Sequence, residues 1–195
     1  MKSALLLSFV TTAFLSSRAQ TGQAPFRSAA VPGLPGVIEA VLHDFPENLR
    51  HLTGELLTAQ GGSENYSSTV MPPGAESCTI TRFLSTGDTT AAWQARMYSS
   101  EDFEKASTAY RDLYRQLQSC YLLLPDSSMI PLKGRWEPAR QDMSFTTSTL
   151  RLNTGDERYR EVAIDLELLS QVTGWVVNIN IVSKRPDDEI GIRAQ

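Results

Sequence analysis

The sequence predicts an α+β fold: one mostly antiparallel sheet of about five to seven strands, one long amphipathic helix over about residues 100–124 packed on one face, and a short N-terminal helix. Three observations predict it. Several short runs alternate apolar and polar residues, the period of a half-buried strand. Turn residues separate those runs at hairpin spacing. A single apolar stripe, Phe103, Ala106, Tyr110, Leu113, Leu117, Cys120, Tyr121 and Leu124, repeats at helical spacing and needs a flat apolar surface to cover it.

The elements follow in order. Val37, Val41, Leu42 and Phe45 repeat at helical spacing, and Pro46 interrupts them, which predicts a helix over Gly36–Asp44 and a separate helical turn over Pro46–His51. Gly54–Gln60 and Tyr66–Met71 flank Gly61-Gly62-Ser63 as a first hairpin. Ser77–Leu84 and Ala91–Tyr98 flank Thr86-Gly87-Asp88 as a second. The long helix starts near Ser99, where Ser99 with Asp102 forms a capping-box pattern and Glu101, Asp102 and Glu104 suit the positive end of the helix dipole. Pro125 to about Gln141 reads as a loop. Ser144–Leu152, Tyr159–Leu168 and Gly174–Ser183 then form a meander. The second of these sets Val162, Ile164, Leu166 and Leu168 against Glu161, Ala163, Asp165 and Glu167.

The N-terminus has the pattern of a cleaved export signal: Lys2, an apolar stretch Ala4–Leu15, then small residues in Ser17-Arg18-Ala19. The stretch is too short for a bilayer span, which needs roughly 20 residues. The expected organisation is a signal peptide over 1–19, a flexible Pro/Gly-rich leader over 20–35, a single domain over 36–183 and a charged tail over 184–195. The expected location is the periplasm or the cell exterior. Cutting after Ala19 removes Lys2 and Arg18 and no acid, so the net charge moves from −4 to −6. That balance argues against nucleic acid and anionic membrane surfaces, both of which need concentrated positive charge. No later stretch would span a membrane. The oligomeric state is left open.

Candidate chemistry is sparse. Cys78 and Cys120 are the only cysteines, and an oxidising compartment favours a disulfide that, closing about 43 residues, contributes about 4 kcal/mol. An up-down-up course of strand, strand and helix sets the two far apart, which leaves a pair of buried thiols as the alternative. His43 and His51 lie near Asp44, Glu47 and Glu55, but His-x7-His is no common zinc spacing, so capping or surface roles are expected. No nucleophile elbow, SxxK motif or phosphate-binding loop is present, and no catalytic residue, metal site or cofactor is expected. Asn65-Tyr66-Ser67 is a glycosylation sequon if the host is eukaryotic. The sheet face away from the long helix should carry Arg96, Tyr98, Glu161, Asp165, Glu167, Asn178 and Asn180, a polar surface that is either a ligand face, a helix contact or plain solvated sheet. Acids at alternate positions of one strand read first as a solvated face.

The combination Pro73-Gly74-Ala75-x-x-Cys78-x-Ile80, Trp93-Gln94-Ala95 and Phe103-Glu104-x-Ala106-x3-Tyr110-x2-Leu113-x3-Leu117-x2-Cys120 resembles small secreted bacterial proteins of unknown function, over about residues 45–183. The resemblance implies a Gram-negative envelope and pairing of the two cysteines, and carries no catalytic residue. The expected function is a non-enzymatic binding or interaction module for a protein or small ligand. The alternatives are a hydrolase with a dispersed His/carboxylate site and a subunit of an envelope assembly joined through an edge strand.

Overall fold

The computed structural model describes residues 33–184 except 86 and 87. The signal-like segment, nearly all of the leader and the tail beyond 184 lie outside the described residues.

The chain opens with α1 (Leu34–Asp44), started by Pro35 in its first turn and stopped before Pro46, where a 3-10 turn (Phe45–Glu47) takes over. Four strands follow as a meander: β1 (Thr53–Gln60), β2 (Ser63–Ser68), β3 (Ser77–Ser85) and β4 (Asp88–Ser100). Helix α2 (Phe103–Gln118) leads to a second meander: β5 (Tyr121–Leu123), β6 (Met129–Gly134), β7 (Phe145–Leu152), β8 (Val162–Gln171) and β9 (Gly174–Ser183). The two meanders join through antiparallel pairing of β4 with β9, giving one nine-stranded sheet in the order β1-β2-β3-β4-β9-β8-β7-β6-β5.

This corrects the expected five to seven strands and the expected helix over 100–124. Strand β4 runs on to Ser100, and Asp102, not Ser99, is the helix cap, its carboxylate accepting from Glu104 N and Lys105 N. At the other end, Cys120 and Leu124 fit helical spacing by coincidence. Beyond the helix Leu122 is fully buried while Tyr121 and Leu123 are exposed, the period of a strand. Strand β6 lies inside the expected loop; Pro131 and Lys133 hide its alternation.

α2 packs on one face of β4, β6, β7, β8 and β9. Ala106, Tyr110 and Leu117 of the helix are fully buried, together with Leu150, Leu166, Val177 and Ile179 of the sheet. Each large apolar side chain so buried contributes about 1.5–3 kcal/mol. Val162, Ile164, Leu166 and Leu168 all face this core, as their alternation predicts. α1 contacts both α2 and β5 and closes the core with Val37, Ile38, Val41 and Leu42. Behind it, buried Asp44 ties down the loop into β1: its carboxylate accepts from His51 N at 3.0 Å and Leu52 N at 3.1 Å, and meets His51 Nδ1 at 2.5 Å.

Candidate functional site

The site is built where β6 parts from β7. On β7, strand β6 reaches only Leu150–Leu152, so the Phe145–Thr149 half of β7 has no strand beside it on that edge among the described residues. Gly134 marks the parting: a Cβ there would collide with the Thr149 carbonyl oxygen and Leu150 Cα, so no larger residue fits the close approach. The connecting segment, residues 135–144, then runs past the open half of β7. It is anchored from the core side. Trp136 packs against Tyr110 and Tyr114 with ring centres 4.9 and 5.0 Å apart. Tyr114 Oη donates to the Gly134 carbonyl at 2.9 Å. Ser148 Oγ accepts from Glu137 N at 2.9 Å and lies 2.7 Å from Tyr110 Oη.

Between this anchored segment and the outer sheet face, the one turned away from α2, lies an open cleft of about 780 Å³. Thr147 and Thr149 of β7 and Asp165 and Glu167 of β8 form its floor. Arg135, Glu137, Arg140 and Met143 form its wall; Lys133, Arg151 and Lys184 stand at its ends, and Phe145 sits half-exposed on it. Most of these charges are already paired. Arg135 meets Glu137 at 3.1 Å, Arg140 grips Asp142 through two nitrogens, and Lys184 Nζ lies 3.5 Å from Asp165. Asp165 is nearly buried and also accepts from Thr149 Oγ1 at 2.5 Å. Burial pushes the Glu167 carboxyl above its usual range, against a hydrogen bond from Asn180; the charge of Asp165 adds to the rise and Lys184 opposes it.

The outer face brings together most of the residues expected there. Asn178 and Asn180 of β9 stand opposite Glu167 and Asp165, and Arg96 and Gln94 of β4 stand opposite Asn178 and Asn180. Gln94 Nε2 donates to Asn180 Oδ1 at 2.7 Å. The acids are not a solvated strip, since Asp165 is buried and Glu167 half-buried. Tyr98 leaves the group: a bulge between Arg96 and Tyr98 shifts the phase of β4, setting Tyr98 opposite Val177 and against the core. Glu161 lies just before β8, where Ser183 Oγ donates to it at 3.3 Å, and does not line the cleft. The cationic wall was missed because 125–141 reads as a loop; its only signal was Lys133-Gly134-Arg135 followed by Arg140.

Cys78 and Cys120 are separate buried thiols rather than a disulfide, and burial pushes both up to about 12. Cys78 sits on β3 and Cys120 enters β5, six strands away in the sheet, about 29 Å at the usual strand spacing. His51 serves the loop closed by Asp44, and His43 lies 3.9 Å from Glu39 one turn back on α1; neither lines the cleft. Asn65 of the sequon spends its amide inside the sheet, donating to Thr58 Oγ1 and accepting from Thr81 Oγ1. Among the described residues no three His, Cys, Asp or Glu side chains gather as a metal site, and no helix is long and apolar enough to cross a membrane. Edge strand β1 exposes Leu56 and Leu57, but two register shifts break its ladder, a feature that discourages strand addition.

The class these features define is a two-meander antiparallel sheet with a helix on one face and a polar cleft on the other. No family model matches the chain, and no curated protein or solved structure matches it either.

Proposed function

We propose that this protein is an exported binding module that holds a small polar ligand in the cleft between β7 and residues 135–144. The export part rests on the Lys2, Ala4–Leu15 and Ser17-Arg18-Ala19 pattern. The binding part rests on one observation: the core side of the protein spends Tyr110, Tyr114, Trp136 and Ser148 on fixing the wall of a cleft whose floor is polar. A preformed concavity with a few convergent polar groups is the usual form of a ligand site. Thermal-shift measurement of the purified protein against sugars, amino acids and inorganic phosphate tests it, with Thr149→Trp as a variant that fills the cleft floor. Stabilisation by one class that Thr149→Trp abolishes supports the reading; no stabilisation by any class overturns it.

A hydrolytic reading draws on Asp165 and Glu167, two carboxyls in one cleft, one of them raised. It is the weaker reading because Asp165 is already engaged by Thr149 and Lys184, while acid–base hydrolysis needs two available carboxyls. Turnover of 4-nitrophenyl glycosides that Glu167→Gln abolishes would reverse this preference.

A further inference from the structure

The backbone of the open half of β7 faces the cleft in a definite way. Ser170 N donates to the Ser144 carbonyl, and the register continues through Thr146 opposite Leu168 and Ser148 opposite Leu166. Residues that exchange bonds alternate along an antiparallel pair, so the even positions of β7 serve β8. The N–H and C=O groups of Phe145 and Thr147 therefore point to the other edge, which β6 has already left. Both residues line the cleft, and no backbone hydrogen bond among the described residues reaches these four groups. Such an edge is a template for an added strand.

We propose that residues 185–195 of this chain dock in the cleft and add a strand to the free edge of β7. The chain leaves β9 at the cleft itself: Lys184 lines it, Arg151 Nη1 donates to the Lys184 carbonyl at 3.0 Å, and Lys184 Nζ lies 3.5 Å from Asp165. Val182 is level with Ala163 and Arg151 across the sheet. From Lys184 the edge beside Thr147 is thus about 14 Å across and about 20 Å along, a diagonal of about 25 Å. About seven extended residues cover it, and Pro186-Asp187 supplies a turn signal for the reversal. Ile190–Ile192 then lies beside Thr147 and Phe145, running antiparallel to β7 as β6 does. The chemistry matches along the path. Asp187, Asp188 and Glu189 pass the cationic end of the cleft at Arg151 and Lys133, and Ile190 and Ile192 arrive where Met143 and Phe145 are half-exposed. The docking needs only the cleft; its consequence, that the tail competes with a ligand there, rests on the binding reading above.

The test is amide hydrogen exchange, read residue by residue in the purified protein and in a form shortened after Lys184. The Phe145 and Thr147 amides are expected to exchange about tenfold faster in the shortened form, the loss of a segment that binds at about 0.1 mM and is tethered at about 1 mM. Adding the peptide of residues 185–195 at about 1 mM is expected to restore the protection. Full-length protein carrying Asp187→Lys and Asp188→Lys is expected to exchange like the shortened form, which guards against harm that truncation does to folding. Equal exchange in the parent and both altered forms overturns the docking, whether the amides are open throughout or covered by a second copy. The same forms separate the docking from the ligand reading. If the shortened form exposes the amides but no sugar, amino acid or phosphate stabilises it, the docking stands and the binding reading falls. If a ligand stabilises the parent and the shortened form alike while exchange is unchanged, the cleft is a ligand site and the tail is not its occupant.

Discussion

The Tyr110 hydroxyl lies 2.7 Å from Ser148 Oγ, fully inside the core, and joins α2 to the strand that floors the cleft. The same Ser148 oxygen takes the Glu137 amide, and the Tyr110 hydroxyl also donates to the Glu137 carbonyl at 3.3 Å, so three elements meet at one polar point. Tyr110→Phe is expected to cost about 1–2 kcal/mol in urea unfolding by removing two of these bonds. It is also expected to weaken any ligand of the cleft, since the wall hangs from Glu137. Burial pushes this phenol up to about 12, above its unfolded value. Its contribution is therefore present below about pH 10 and lost as pH rises toward 12, so wild type should lose stability there faster than Tyr110→Phe. Equal slopes for the two proteins would show that the hydroxyl is not held as described.

Glu167 gives a second pH signature. Its carboxyl is raised above the usual range, so folding is favoured while it is protonated, and that advantage is lost as pH rises through the folded-state value. Glu167→Gln, which cannot ionise, is expected to raise Tm by about 2 °C at pH 8, with the difference shrinking toward pH 4. A variant equally or less stable at pH 8 would contradict the burial argument.

The thiols make a third. With Cys78 and Cys120 both buried, unbonded and pushed to about 12, Ellman's reagent at pH 8 is expected to find no reactive thiol in the folded protein and two in guanidinium. An intact-mass deficit of about two hydrogens, with no thiol after unfolding, would instead mean a disulfide.

Asp44 supports a fourth. Its carboxylate accepts from two backbone amides, His51 N and Leu52 N, and meets the His51 ring. Asp44→Ala is expected to destabilise by about 1–3 kcal/mol, because it leaves amides without an acceptor. His51→Ala, at a ring that is 63% exposed, should cost much less. Similar losses for the two variants would assign the stability to the ring rather than to the amides.

Much of the sheet was legible in the sequence because burial on one face writes a period of two. Val162, Ile164, Leu166 and Leu168 announced β8 and its orientation, and the Pro46 stop set the end of α1 correctly. What failed were features without a period. A three-residue strand, β5, is too short to outvote the helical spacing of Leu117, Cys120 and Leu124. The bulge that turns Tyr98 inward adds one residue and leaves no compositional mark. At the candidate site, Asp165, Glu167, Asn178 and Asn180 were visible as one polar face. The wall was not, because its position depends on where β6 stops, and that is set by the tight Gly134 contact with β7.

The β4–β9 seam has a consequence for how the molecule assembles. Residues 93–100 must find residues 175–181, so the ninth strand made is the one inserted in the middle of the sheet. Until the ribosome has delivered it, β4 presents an unsatisfied ladder, and neither half-sheet can close over α2. Such distant pairing is slow to form, and the waiting intermediate is prone to stick to its neighbours. A chain of this topology gains from being held unfolded until synthesis is complete, which is the state in which a polypeptide threads through a narrow translocation channel.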